Sequence, residues 1–133
     1  MWDRSDRKSV STNAPWESIL GYCRAMRVGY LVYVSGTTAV DEYGKIIAEG
    51  DAYAQTIFII KKIERALNEI DAKLNDVVRT RIFLTDINDW RKVARAHFEL
   101  LGNIRPASTL LEVSCLIDQK LLVEIEADAV IPP

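Results

Sequence analysis

A single histidine, His97, and two cysteines, Cys23 and Cys115, stand in a chain of 133 residues. One histidine cannot build a histidine-based metal cluster within a chain, and two cysteines add too few soft ligands for a zinc site, so no metal is expected. Two cysteines on separate predicted strands are enough for one disulfide by count, but none is expected in a reducing compartment, and both are expected to be buried thiols. A basic excess is also missing. The 17 Lys and Arg against 19 Asp and Glu leave a formal charge of -2, which does not supply the electrostatic footprint of a nucleic-acid-binding protein. Trp2, Trp16 and Trp90 are too scattered to form a stacking platform for bases. No apolar run reaches the length of a bilayer span, and the polar cluster Asp3, Arg4, Asp6, Arg7 and Lys8 leaves no room for the apolar core of a secretory signal. Neither a strained serine elbow nor a Gly-rich phosphate loop occurs. The expectation is a cytoplasmic protein without membrane or nucleic-acid partner.

What is present suits one folded domain. Hydrophobic residues make up 49% and charged residues 27%, enough for one sizeable core. Residues 1–16 are polar, interrupted at Pro15 and without periodicity, and read as a mobile arm; residues 17–133 read as a single domain. Tyr22 to Met26 and Tyr30 to Ser35 predict a hairpin turning at Val28-Gly29, and a third short strand is expected around Lys45 to Ala48. Asp51 is a plausible N-cap for a helix whose apolar face runs through Thr56, Ile59, Ile60, Ile63, Leu67, Ile70 and Leu74, with Lys61, Lys62, Glu64 and Arg65 largely on the other side. Val77 to Thr85 predicts a strand, Asp89 to Leu101 a second helix stopped by Gly102, and Thr109 to Leu116 and Leu121 to Ile131 two closing strands. From Leu121 onward the alternation is strict: Val123, Ile125, Ala127 and Ala129 on one face, Glu124, Glu126 and Asp128 on the other. The order β-β-β-α-β-α-β-β fits a two-layer α+β domain, a six-stranded sheet with two helices on one face. The other face then needs a partner, which points to an oligomer.

Several segments carry a resemblance in order and with matching spacing: Gly21-Tyr22-Cys23-Arg24-Ala25, Val32 to Thr37, Gln55-Thr56, Asp76 to Thr80, Phe83 to Asp86, Arg105-Pro106-Ala107 and Val123 to Ala127. Together they resemble the Rid/YjgF family, also called the endoribonuclease L-PSP family, over roughly residues 20–131. The resemblance implies a chorismate-mutase-like fold, a homotrimer, and small-molecule clefts between subunits. It also implies hydrolysis of reactive enamines and imines to a 2-keto acid and ammonia, without a cofactor.

Residue by residue, the resemblance places the cleft tyrosine at Tyr22, a Ser-Gly pair at Ser35-Gly36 and the cleft glutamate, the catalytic candidate, at Glu124. The arginine that holds the substrate carboxylate in the deaminase branch falls on Ser108, so deamination of a 2-imino acid is not expected to be efficient. Two other arginines are candidates for substrate binding. Arg24, two positions after Tyr22, shares its face if the segment is a regular strand. Arg105, before a proline, is biased to extended backbone and suits a rim or interface. Arg79 and Arg81 share a strand face with Val77 and Phe83 and are expected to pair structurally with the acidic face of the last strand. His97, at apolar spacing with Val93 and Leu100, reads as a packed helix residue. Three functions stay open: a C–N bond hydrolase, a metabolite-binding module using the same cleft, and, last in rank, a ribonuclease or translation inhibitor.

Overall fold

The alternation in the last strand sets the centre of the molecule. In the computed structural model, which describes residues 6–133, that strand, β6 (Val123–Val130), lies between β3 (Leu31–Thr37) and β4 (Val77–Leu84) in a sheet ordered β1-β2-β3-β6-β4-β5. Val123, Ile125, Ala127 and Ala129 are all 1% exposed or less. They face the long helices α2 (Ala52–Glu69) and α3 (Trp90–Leu101). The strand pairs are antiparallel except β4 with β5 (Ala107–Glu112), which run parallel. Parallel neighbours need a crossover, and α3 supplies it.

Asp51 caps α2 as the sequence predicts, its carboxylate accepting from the Ala54 N–H at 3.0 Å. Ile59, Ile60, Ile63 and Leu67 are buried against the sheet. Lys62, expected on the outer side, is buried as well. The α+β architecture is as expected, but the sheet recruits one strand from a different place. Residues 45–48 make only one isolated bridge, Val40 to Ile46. There Asp41 accepts from the Tyr43 and Lys45 N–H groups, and positive φ at Ala48 and Gly50 turns the chain into α2 before a ladder can extend. The outer place is taken by β1 (Arg7–Val10), paired with β2 (Ala25–Val28). Thus part of the expected arm is ordered, and a short helix α1 (Pro15–Leu20) follows it; residues 1–5 lie outside the described residues. The observed order is β-α-β-β-α-β-α-β-β.

Two local expectations are also corrected. A register shift between Val77 and Arg79 puts Val77 on the helix side, away from Arg79 and Arg81. Arg105 has φ of 52° instead of an extended conformation, because its N–H closes the end of α3 on the Leu101 carbonyl at 2.9 Å. Among the described residues no helix is long and apolar enough to cross a membrane.

Candidate functional site

Pro15 opens α1 at its first turn and Gly21, with φ of 79°, closes it. Such a short helix directs Trp16 and Leu20 to one side and Glu17 inward. Trp16 and Leu20 form one wall of a cavity of about 500 Å³. Tyr22, Ser35, Gly36, Phe83, Glu124 and Glu126 line it, and the segment Cys115-Leu116-Ile117 closes its far side. Four of the residues proposed from sequence are therefore brought together: Tyr22, Ser35, Gly36 and Glu124.

The pairing of β3 with β6 explains their proximity. Its register shifts between Val34 and Thr37, so Ser35-Gly36 forms a bulge over the start of β6. Bulges of this kind re-aim side chains at the edge of a ladder. Ser35 is fixed by its backbone N–H to the Arg24 carbonyl at 2.9 Å and by its hydroxyl to the Cys23 carbonyl at 2.7 Å. Gly36 leaves the space that Glu124 fills. A Cβ on residue 36 would stand 2.5 Å from Glu124 Oε2.

The three carboxylates of β6 have different surroundings. Asp128 lies 3.9 Å from Arg79 and 3.4 Å from Arg81, and Glu126 lies 3.7 Å from Arg81. These are the cross-strand pairs expected of the two arginines. Glu124 sits opposite Phe83 instead and makes no hydrogen bond or ion pair among the described residues. Burial pushes its carboxyl above the usual range; Arg24 opposes that shift and Glu126 adds to it. The result is a half-buried carboxyl whose pKa lies above its ordinary value.

Arg24, a candidate for substrate binding by sequence, does not line the cavity. It is 2% exposed and lies behind the cavity wall. Its Nε donates to Thr12 Oγ1 at 3.3 Å, Nη1 to the Gly36 carbonyl and to Thr37 Oγ1 at 3.2 Å, and Nη2 to Glu17 Oε2 at 3.2 Å and Tyr22 Oη at 3.5 Å. Five N–H groups thus meet five acceptors within the chain. The guanidinium braces the wall that carries Tyr22 and Gly36 and has no donor left for a substrate carboxylate. Its ion-pair partner, Glu17, went unremarked in the sequence reading. Burial raises the Glu17 pKa, but hydrogen bonds from Thr12 and Ser11 and the charge of Arg24 outweigh it and hold the carboxylate below its ordinary value. The signal was a glutamate on the first turn of a proline-initiated helix, five residues after a threonine.

Ser108 is not part of this cavity. Its side chain lies on the helix side of β5, accepting from Thr80 Oγ1 at 2.8 Å, and Thr80 is in turn 2.9 Å from His97 Nε2. His97 is packed as expected, with burial lowering its pKa. Arg105 is exposed at the entrance to β5. Of the two thiols expected to be buried, Cys23 is half-buried and Cys115 exposed at the cavity. No group of three His, Cys, Asp or Glu is arranged to hold a metal among the described residues.

Comparison with known proteins agrees with the fold. The family model described as Endoribonuclease L-PSP matches residues 11–131. The crystal structure of Rv2704 from Mycobacterium tuberculosis, a member of the YjgF/YER057c/UK114 family, superposes with a TM-score of 0.85 at 46% identity, covering 94% of this chain and 99% of that one. An uncharacterized protein of Streptomyces coelicolor is 38% identical over 122 residues, 92% of this chain and 90% of its own. The 3-aminoacrylate deaminase RutC of Acinetobacter baylyi is 32% identical over 108 residues, 81% of this chain and 85% of its own. By its matched length, its fold and its relatives, the chain belongs to the Rid/YjgF family, the family of the Endoribonuclease L-PSP model.

Proposed function

We propose that this protein is a cofactor-independent hydrolase of imines or enamines, acting in clefts completed by the subunits of a homotrimer. The observation that carries the reading is the Glu124 carboxyl: half-buried, unpaired among the described residues, its pKa raised by burial, and seated on Gly36 beside Tyr22 and Ser35. As an acid it delivers a proton to an imine nitrogen, or to the carbon of an enamine. Water then adds to the activated carbon, and the Glu124 carboxylate takes the surplus proton from that water. Glu124 returns that proton to the amino nitrogen, the C–N bond breaks as ammonia leaves, and the hydroxyl proton of the remaining carbonyl goes back to Glu124. Imine and water become a carbonyl compound and ammonia, a balance with no oxidant or reductant.

Similarity to a 3-aminoacrylate deaminase supports an enamine or imine as the substrate type. Charge narrows it. Among the described residues two carboxylates and no lysine or arginine line the cavity, and the donors of Arg24 are already engaged. An uncharged imine or its protonated form suits these walls better than a 2-imino acid, whose carboxylate calls for an arginine fork. Ammonia release from an uncharged imine and from 2-iminobutyrate tests this directly. We expect kcat/KM to favour the uncharged substrate by about tenfold or more, corresponding to one missing charge-assisted hydrogen bond of about 1.5 kcal/mol or more. Equal or faster hydrolysis of 2-iminobutyrate contradicts the charge argument and makes Arg105 from a neighbouring subunit the first candidate anchor.

A further inference from the structure

A second cavity, of about 560 Å³, shares no lining residue with the candidate cleft. It is bounded by the segment after β1, the Val40-Asp41 loop and one side of α2. Lys62, on α2, lines it and is 6% exposed. The sequence pattern put this lysine on the outer side of the helix, and nothing in the proposed cleft chemistry uses it.

The surroundings of its ammonium are poor for a structural charge. A charged lysine offers three N–H donors, and Lys62 Nζ finds one acceptor, the Val40 carbonyl at 2.8 Å. It forms no ion pair among the described residues. Arg24 and Arg65 act on it with like charge; Glu17, more than Asp41, opposes them, and Glu42 and Glu69 lie at the cavity lining. Desolvation together with neighbouring cations is the environment that activates lysine amines as nucleophiles.

We infer that Lys62 is a nucleophilic amine that captures small aldehydes or 2-oxo acids as a Schiff base in this second cavity. The amine nitrogen adds to the carbonyl carbon to give a carbinolamine; the C–O bond then breaks, the oxygen leaving as water with one proton from the nitrogen and one from solvent or a lining carboxylic acid, and a C=N bond remains. A proton then returns to the medium, so amine and carbonyl become imine and water. Arg65, one turn further along α2 and lining the same cavity, offers a partner for a carboxylate on the captured molecule. Burial, with the charge of Arg24, lowers the Lys62 pKa from 10.5 to about 8. At pH 7 this makes the neutral fraction about 300-fold that of an ordinary lysine.

The test is reductive trapping on the whole protein with glyoxylate and sodium cyanoborohydride, followed by peptide mapping for carboxymethyl-lysine. Lys62 is expected to be modified about tenfold faster than the exposed lysines at pH 7, with a rate that rises through an inflection near pH 8. Lys62→Arg keeps a donor for the Val40 carbonyl and should abolish that fast modification. Labelling of exposed lysines with Lys62 unmodified, or modified no faster, overturns the inference. The map of the wild-type protein decides this even if the variant does not fold, and it is independent of whether the cleft around Glu124 hydrolyses anything.

Discussion

Glu124 differs from Glu126 and Asp128 through what stands opposite it. The two outer carboxylates meet Arg79 and Arg81, whereas Glu124 meets Phe83 and the bare backbone of Gly36. Its stability effect has a definite sign. A carboxyl with a folded pKa above its unfolded value stabilises the fold fully below the unfolded pKa, and that contribution is lost as pH rises through the folded pKa. Glu124→Gln should therefore be close to wild type in stability near pH 4 and more stable at pH 7, as measured by urea midpoints at the two pH values. The reverse order would mean that the carboxylate is the favoured form. Arg24 supplies a second residue-scale expectation. Its pair with Glu17 is almost fully buried, so Arg24→Ala leaves an uncompensated carboxylate and should cost about 3–5 kcal/mol in denaturant unfolding. A loss below about 1 kcal/mol would contradict the buried ion pair and reopen the substrate-binding role for which the sequence made Arg24 a candidate.

At the scale of elements, the legible parts were those with long periodicity. The alternation of β6 and the apolar stripe of α2 are repeated enough to survive tertiary context, and both appear near where the sequence placed them, although α2 ends at Glu69, short of Ile70 and Leu74. Short segments were less legible. A four-residue strand such as β1, with a burial pattern of three exposed residues and one buried, has no period to read and exists because the edge of β2 is there to pair with it. The segment 45–48 has strand-like composition, yet the Asp41 turn and the positive φ of Ala48 deny it a ladder. The site followed the same rule. Tyr22, Ser35, Gly36 and Glu124 were identified through family spacing, and the bulge in β3 brings them together. The buried roles of Arg24, Glu17 and Lys62 depend on acceptors far away in sequence, which no local pattern displays.

At the scale of the whole molecule, the helices cover one sheet face and leave the other open. Leu31 is 46% exposed, Tyr33 50% and Val130 43%, all on the side that carries the acidic row of β6. Apolar side chains gathered beside paired charges suit an interface, and a closed ring of identical subunits buries such a face without leaving a free copy of it. Light scattering at micromolar concentration should give about three times the mass of the chain. A stable monomer would remove the packing argument for clefts between subunits. The central claim is that Glu124 performs the proton transfers of C–N bond hydrolysis, and the most direct measurement is ammonia release from an uncharged imine by wild type and Glu124→Gln at pH 7, with light scattering confirming the same assembly for both. Wild type should release ammonia above the spontaneous rate and the variant should lose about 10²–10⁴-fold in kcat; equal rates for the two proteins would mean that Glu124 does not carry the proton transfers.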